Sequence, residues 1–263
     1  MFAYCYIKIY SIHVSKMNFY EEKVYQEMCA WKLQMITPAS TSNKLAKGIQ
    51  NKLNGLIPEK FHQVITVTIE KMVKAVLFGS RYTTSSTKKE GSLQLREAYV
   101  KRTARHYKNV AVLEGAVTGA GGLLMGFADF PAFLAIKLKL LFEIASIYGY
   151  DVKDYRERLF VLYVFKIAFS SQAKRKDIME RIELWKSYSA ALPDDVEQFD
   201  WRDFQQEYRD YIDLAKMAQL IPVIGAVVGA VANNKLTQQL TKTAMNAYRV
   251  RYFDNLQVEH IDR

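Results

Sequence analysis

Residues 109–150, NVAVLEGAVTGAGGLLMGFADFPAFLAIKLKLLFEIASIYGY, set the strictest limit on what this chain can fold into. They hold the longest apolar run and most of the clustered glycine. Gly115, Gly119, Gly122 and Gly126 form two successive small-xxx-small pairs, which leave one helical face without side-chain bulk and admit a second backbone at close range. Asp129 and Pro131 then interrupt the run, because proline suits the first turn of a helix and not its interior. The spacing predicts two helices meeting at a bend.

Spanning a bilayer takes about 20 mostly apolar residues. The charge-free run from Gly115 to Ala128 is shorter, and Lys137, Lys139 and Glu143 punctuate the helix that follows. A transmembrane helix is therefore disfavoured. Two readings stay open: a tightly packed helical hairpin in a protein core, and a shallow element that enters one leaflet and returns, which needs protein or water to satisfy its bend.

The chain uses this device twice. GAVVGA at 225–230 repeats GAVTGA at 115–120 in five of six positions. Gly225 and Gly229 supply the second pair of small positions, so the two elements are expected to pack backbone against backbone. The surrounding run, Met217 to Asn234, is cut by Gln219, Pro222, Asn233 and Asn234, and it too falls short of a span.

Helical periodicity dominates elsewhere. Asn18 with Glu21 makes a helix start, and Tyr20, Val24, Met28, Trp31 and Met35 recur at threes and fours until Pro38. Pro58 opens a later helix with Phe61, Ile65, Met72 and Val76 on one stripe and Gly79 as its stop. Asp154 and Glu157 suggest a capping box before RLFVLYVFKIAF, which is apolar nearly all round and is expected at the centre. The predicted fold is all-α, a multi-helix bundle with two glycine-rich hairpin elements packed together in its middle. Its expected divisions are an N-terminal extension at 1–16 that lies before the native start, a basic helical region at 17–82, a flexible loop at 83–92, a helical core at 93–255 and a tail at 256–263.

The net charge of +10 is concentrated rather than spread. Residues 44–108 carry fourteen Lys and Arg against four Glu. Such a segment suits the anionic leaflet of a membrane or the phosphates of nucleic acid. Without aromatic interleaving or a recognition motif, nucleic acid is the weaker choice. Lys101, Arg102, Arg105 and Lys108, on a helix that runs into the glycine stretch, are the candidate membrane-surface residues. The plain alternative is a solvated helix face, and residues 194–213, with eight Asp and Glu against two Arg, offer an internal partner for it.

No catalytic constellation can be assembled. GAGG at 119–122 lacks the Lys and Ser/Thr of a phosphate-binding loop, and neither the two cysteines nor the four scattered histidines have metal-ligand spacing. No cofactor, metal or disulfide is expected, and a reducing cytoplasmic setting fits. Asp129, Lys139, Glu143, Asn234 and Arg251 form the candidate polar cluster, because unpaired charge inside apolar helices is costly. Their plain roles are a cap at Asp129, a Lys139–Glu143 pair at i, i+4, a helix end at Asn234 and a solvated Arg251. A second reading makes Asp129 and Glu143 the carboxylates of a hydrolase cleft.

GAVTGAGGLLMGFADFPAFLAIKLKLLFEIASIYGYD (115–151), RLFVLYV (158–164) and IPVIGAVVGAVANNKLTQQLTKTAMNAYRVRYF (221–253) resemble the EcsC family of bacterial proteins, named from a gene that accompanies an ABC transporter. EEKVYQEMCAWK and IPEKFHQVITVTIEKMVKAVLFGS are similar to its Bacillus-type members, and the likeness covers most of residues 20–255. Lys139 departs from the Arg of that pattern. The resemblance implies an all-helical fold and a link to membrane transport, with ABC-transporter subunits as partners, and it confers no established catalytic activity. The basic helices beside short apolar hairpins add the expectation of an anionic membrane surface as partner, at the inner face of the cell membrane.

Overall fold

The computed structural model describes residues 17–37, 59–78, 91–118, 130–211 and 225–261. Among them every regular element is a helix. In chain order these are α1 (Phe19–Ile36), α2 (Glu59–Phe78), α3 (Leu93–Thr118), α4 (Phe130–Tyr148), α5 (Tyr155–Phe169), α6 (Arg175–Glu183), α7 (Trp185–Ala190), α8 (Trp201–Tyr211) and α9 (Gly225–Ile261), with short 3-10 turns at Gln172–Lys174 and Val196–Gln198. The all-α expectation holds. The bend at 119–129 and the meeting of the two glycine elements lie outside the described residues.

Local chemistry explains most boundaries. Asn18 Oδ1 accepts from the Glu21 amide at 3.1 Å while Glu21 Oε2 accepts from the Asn18 amide at 3.0 Å, the reciprocal cap that starts α1. Pro131 falls in the first turn of α4, where its missing N–H costs nothing. The end of α4 needs a glycine: Gly149 sits at φ +96°, and the Tyr150 amide reaches back to the Ala145 carbonyl at 3.0 Å. At α5 the expected capping box is only half made. Asp154 accepts from the Arg156 amide at 2.9 Å, but Glu157 turns away to pair with Arg251.

The core forms around α5. Every residue from Arg158 to Phe169 is buried, which places this helix where its composition predicted. It is wrapped by α2, α4, α6 and α9, while α9 packs most extensively along α3. The α1 stripe Val24, Met28 and Trp31 and the α2 stripe Ile69, Met72, Val73 and Val76 join the same cluster, so the N-terminal helices share one core with the rest. Each such side chain contributes about 1.5–3 kcal/mol by leaving water. The acidic α8 packs on α2, with Lys74 Nζ 5.4 Å from the Trp201 ring centre.

No helix among the described residues is long and apolar enough to cross a membrane. At 37 residues α9 is about 55 Å long, yet its length is broken by charged and amide side chains.

Candidate functional site

Three helices, α1, α3 and α9, leave an open groove of about 840 Å³ between them. On α3, Lys101, Arg105 and Lys108 recur at four and three residues and so stand on one face of that helix, forming one wall. Lys242 of α9 borders the same groove, and α1 contributes Glu27, Trp31 and Gln34. Lys101, Arg105 and Lys242 are exposed, Lys108 half-buried. None of the four has a carboxylate partner among the described residues. The expected surface set is therefore split: Lys101, Arg105 and Lys108 line the groove, while exposed Arg102 on the same helix does not.

The buried charges behind the floor are engaged by one another. Glu97, wholly buried, accepts from Arg249 Nε at 2.7 Å and from its Nη2 at 2.6 Å. Tyr20 Oη donates to the same carboxylate at 2.7 Å and Tyr148 Oη at 3.1 Å. Arg249 completes its fork with Glu27 at 3.1 Å and Asn246 Oδ1 at 3.0 Å. Burial alone would lower the Arg249 pKa, but the hydrogen bonds it donates to Glu97 carry it upward, so the guanidinium stays charged. Burial, reinforced by Glu97, pushes the Tyr20 and Tyr148 phenols up, so they remain donors. A second buried cation, Lys137, donates to Thr237 Oγ1 at 2.8 Å, and Thr237 lies in the groove lining. Trp31, only 2% exposed, completes the floor, and its indole N–H has no acceptor among the described residues.

The candidate polar cluster does not converge among the described residues. Glu143 accepts from Tyr107 Oη at 2.6 Å rather than from Lys139, which is exposed. Asn234 Oδ1 accepts from Gln238 at 3.0 Å on its own helix. Arg251, expected to face water, grips Glu157 at 2.5 and 2.7 Å and lies 3.7 Å from the Tyr150 ring centre. Asp129, Gly119, Gly122 and Gly126 lie outside the described residues; Gly115 is within α3, and Gly225 and Gly229 are within α9.

Sequence reasoning missed Glu97, Arg249 and Lys166. The signal was present for the first. Leu93, Val100 and Tyr107 mark the buried stripe of α3, and Glu97 falls on that stripe at i+4. Lys166, in the middle of the apolar α5, is wholly buried against the rings of Tyr163, Phe204 and Tyr208 and pairs with Glu207 at 2.9 Å. Desolvation lowers its pKa, and Glu207 opposes the shift.

This helical frame has named relatives. Residues 22–253 match the EcsC protein family. The chain is 44% identical to Protein EcsC of Bacillus subtilis (strain 168) over 227 residues, 86% of this chain and 93% of that one. It is 28% identical over 239 residues to the uncharacterized protein YdbA of the same organism, covering 88% of each. No solved structure matches the chain.

Proposed function

The chain belongs to the EcsC protein family, and on that premise we propose a non-enzymatic accessory protein that docks on the anionic inner face of the cell membrane and serves ABC-transporter-dependent transport or secretion. The observation that carries the membrane half is the set of α3 cations. Lys101, Arg102 and Arg105 are exposed and lack carboxylate partners among the described residues, so their attraction is available to a surface of opposite sign. Each such residue near an anionic leaflet contributes about 1 kcal/mol, enough in combination for reversible attachment. The absence of a spanning-grade helix among the described residues is compatible with docking. The transporter half rests on the family resemblance.

The alternative reading, a hydrolase, would need Glu143, which accepts from Tyr107 Oη at 2.6 Å, to meet Asp129, which lies outside the described residues. Fractionation of cells followed by an alkaline carbonate wash tests the proposal. The protein is expected in the membrane pellet and released by the wash. Retention after washing, or a wholly soluble distribution before it, contradicts peripheral docking.

A further inference from the structure

We propose that the groove between α1, α3 and α9 is a binding site for a phosphomonoester or diphosphate whose organic part is partly apolar. The inference deepens the membrane reading by giving the basic face a specific cradle, and it stands on geometry that a diffuse surface patch would not need.

Four cations surround one concavity, on two helices, with no carboxylate partner among the described residues. Like charges held together repel, and an oxyanion seated among them relieves that cost. Lys101 and Lys108 are seven residues apart on α3, about 10 Å along the helix axis, a spacing that a diphosphate bridges more readily than a single carboxylate does. Arg105 lies between the two in the helix; its Nε donates to the Lys101 carbonyl at 3.4 Å and its two terminal nitrogens suit phosphate oxygens, while Lys242 adds a point charge from α9. A volume of about 840 Å³ is that of a small-ligand site. The remaining lining is mixed: Trp31 and Met245 offer apolar contact, Glu27 is held by Arg249, the Thr237 hydroxyl accepts from Lys137, and the Thr241 hydroxyl donates to the Thr237 carbonyl.

The buried ion pair behind the groove supports this use. Arg249 also borders it but is already committed to Glu97 and Glu27, so it fixes the floor and leaves ligand charge to the other four. Two sources present the same chemistry: the headgroup of a membrane lipid, and a soluble organic phosphate.

The test titrates inorganic pyrophosphate into the full-length protein by calorimetry at low salt. In parallel, sedimentation is measured on phosphatidylcholine vesicles carrying phosphatidate, or enough phosphatidylglycerol to match the surface charge. One saturable pyrophosphate site is expected. Lys242→Ala and Arg105→Ala weaken it about tenfold, the size of one lost charge-assisted hydrogen bond, while Arg102→Ala removes equal charge outside the groove and leaves it unchanged. Superimposable thermal melts establish that all three variants fold. With that pattern in hand, preference for phosphatidate vesicles assigns the ligand to lipid, and equal binding to both vesicles assigns it to a soluble phosphate. No pyrophosphate site, or equal losses in all three variants, overturns the groove and leaves peripheral docking standing. An intact pyrophosphate site with no vesicle binding does the reverse.

Discussion

Glu97 and Arg249, 152 positions apart in the sequence, meet as a two-pronged ion pair at 2.6 and 2.7 Å with the carboxylate wholly out of water. The contact ties α3 to α9, the two basic walls of the groove. Two desolvated charges gain little net stability over apolar residues of equal size, but breaking such a pair strands one of them. The pairing therefore fixes how the two long helices sit more than how stable they are.

Glu97→Ala should accordingly cost about 3–5 kcal/mol, since Arg249 is left buried with only Glu27 and Asn246. Replacing both partners, as Glu97→Leu with Arg249→Met, should cost far less than the sum of the single changes. Urea denaturation of the four proteins measures this coupling. Additive losses would show that the two side chains act independently.

Arg251 makes a different kind of contact. Its guanidinium lies 3.7 Å from the Tyr150 ring centre while both nitrogens reach Glu157. Lysine keeps the charge but loses the plane and the fork, so Arg251→Lys should destabilise by about 1–3 kcal/mol. A shift of that size in the denaturation midpoint confirms the geometry. An unchanged midpoint shows that only charge matters there.

Gly149 is required by backbone conformation. At φ +96° a Cβ is strained, and Gly149→Ala should cost about 1–2 kcal/mol through the end of α4. Gly149→Asn should cost less, because asparagine tolerates positive φ better than alanine does. Thermal unfolding of the two variants ranks them, and a reversed order contradicts the role given to this turn.

Much of this scaffold was legible from residue order alone, and the reason is local. Asn18 with Glu21, Pro131, and the apolar body of α5 act within a turn or two, so spacing reveals them. Glu157 shows where that logic stops: the same position that fits a capping box instead meets Arg251, 94 residues on, because a long-range ion pair outcompetes a local hydrogen bond. The groove was visible only in part. Lys101, Arg105 and Lys108 share a face by periodicity, but nothing in order or composition places Lys242 in the same groove.

The aromatic core sets a limit on alkaline stability. Tyr148, Tyr163, Tyr208 and Tyr248 are buried, and desolvation pushes each phenol above its ordinary value of 10.0. Above pH 10 the unfolded chain releases protons that the folded chain keeps, so each residue removes about 1.4 kcal/mol of stability per further pH unit. Lys166 acts in the opposite sense: its lowered pKa makes folding more favourable as pH rises from that value toward 10.5. Four phenols outweigh one ammonium, and stability should fall above pH 10. Ellipticity and phenolate absorbance followed together check this. Helix loss is expected to accompany ionisation of the buried phenols, and ionisation of all seventeen tyrosines with helicity intact would contradict their burial.

The most direct measurement of the central claim is flotation of the purified protein with vesicles of graded anionic-lipid content and rising salt. Electrostatic docking through α3 predicts a bound fraction that climbs with anionic lipid, drops as salt shortens the screening length to about 3 Å near 1 M, and collapses in the Arg102→Glu/Arg105→Glu variant. Binding that ignores salt and lipid charge, or no binding at any composition, would contradict it.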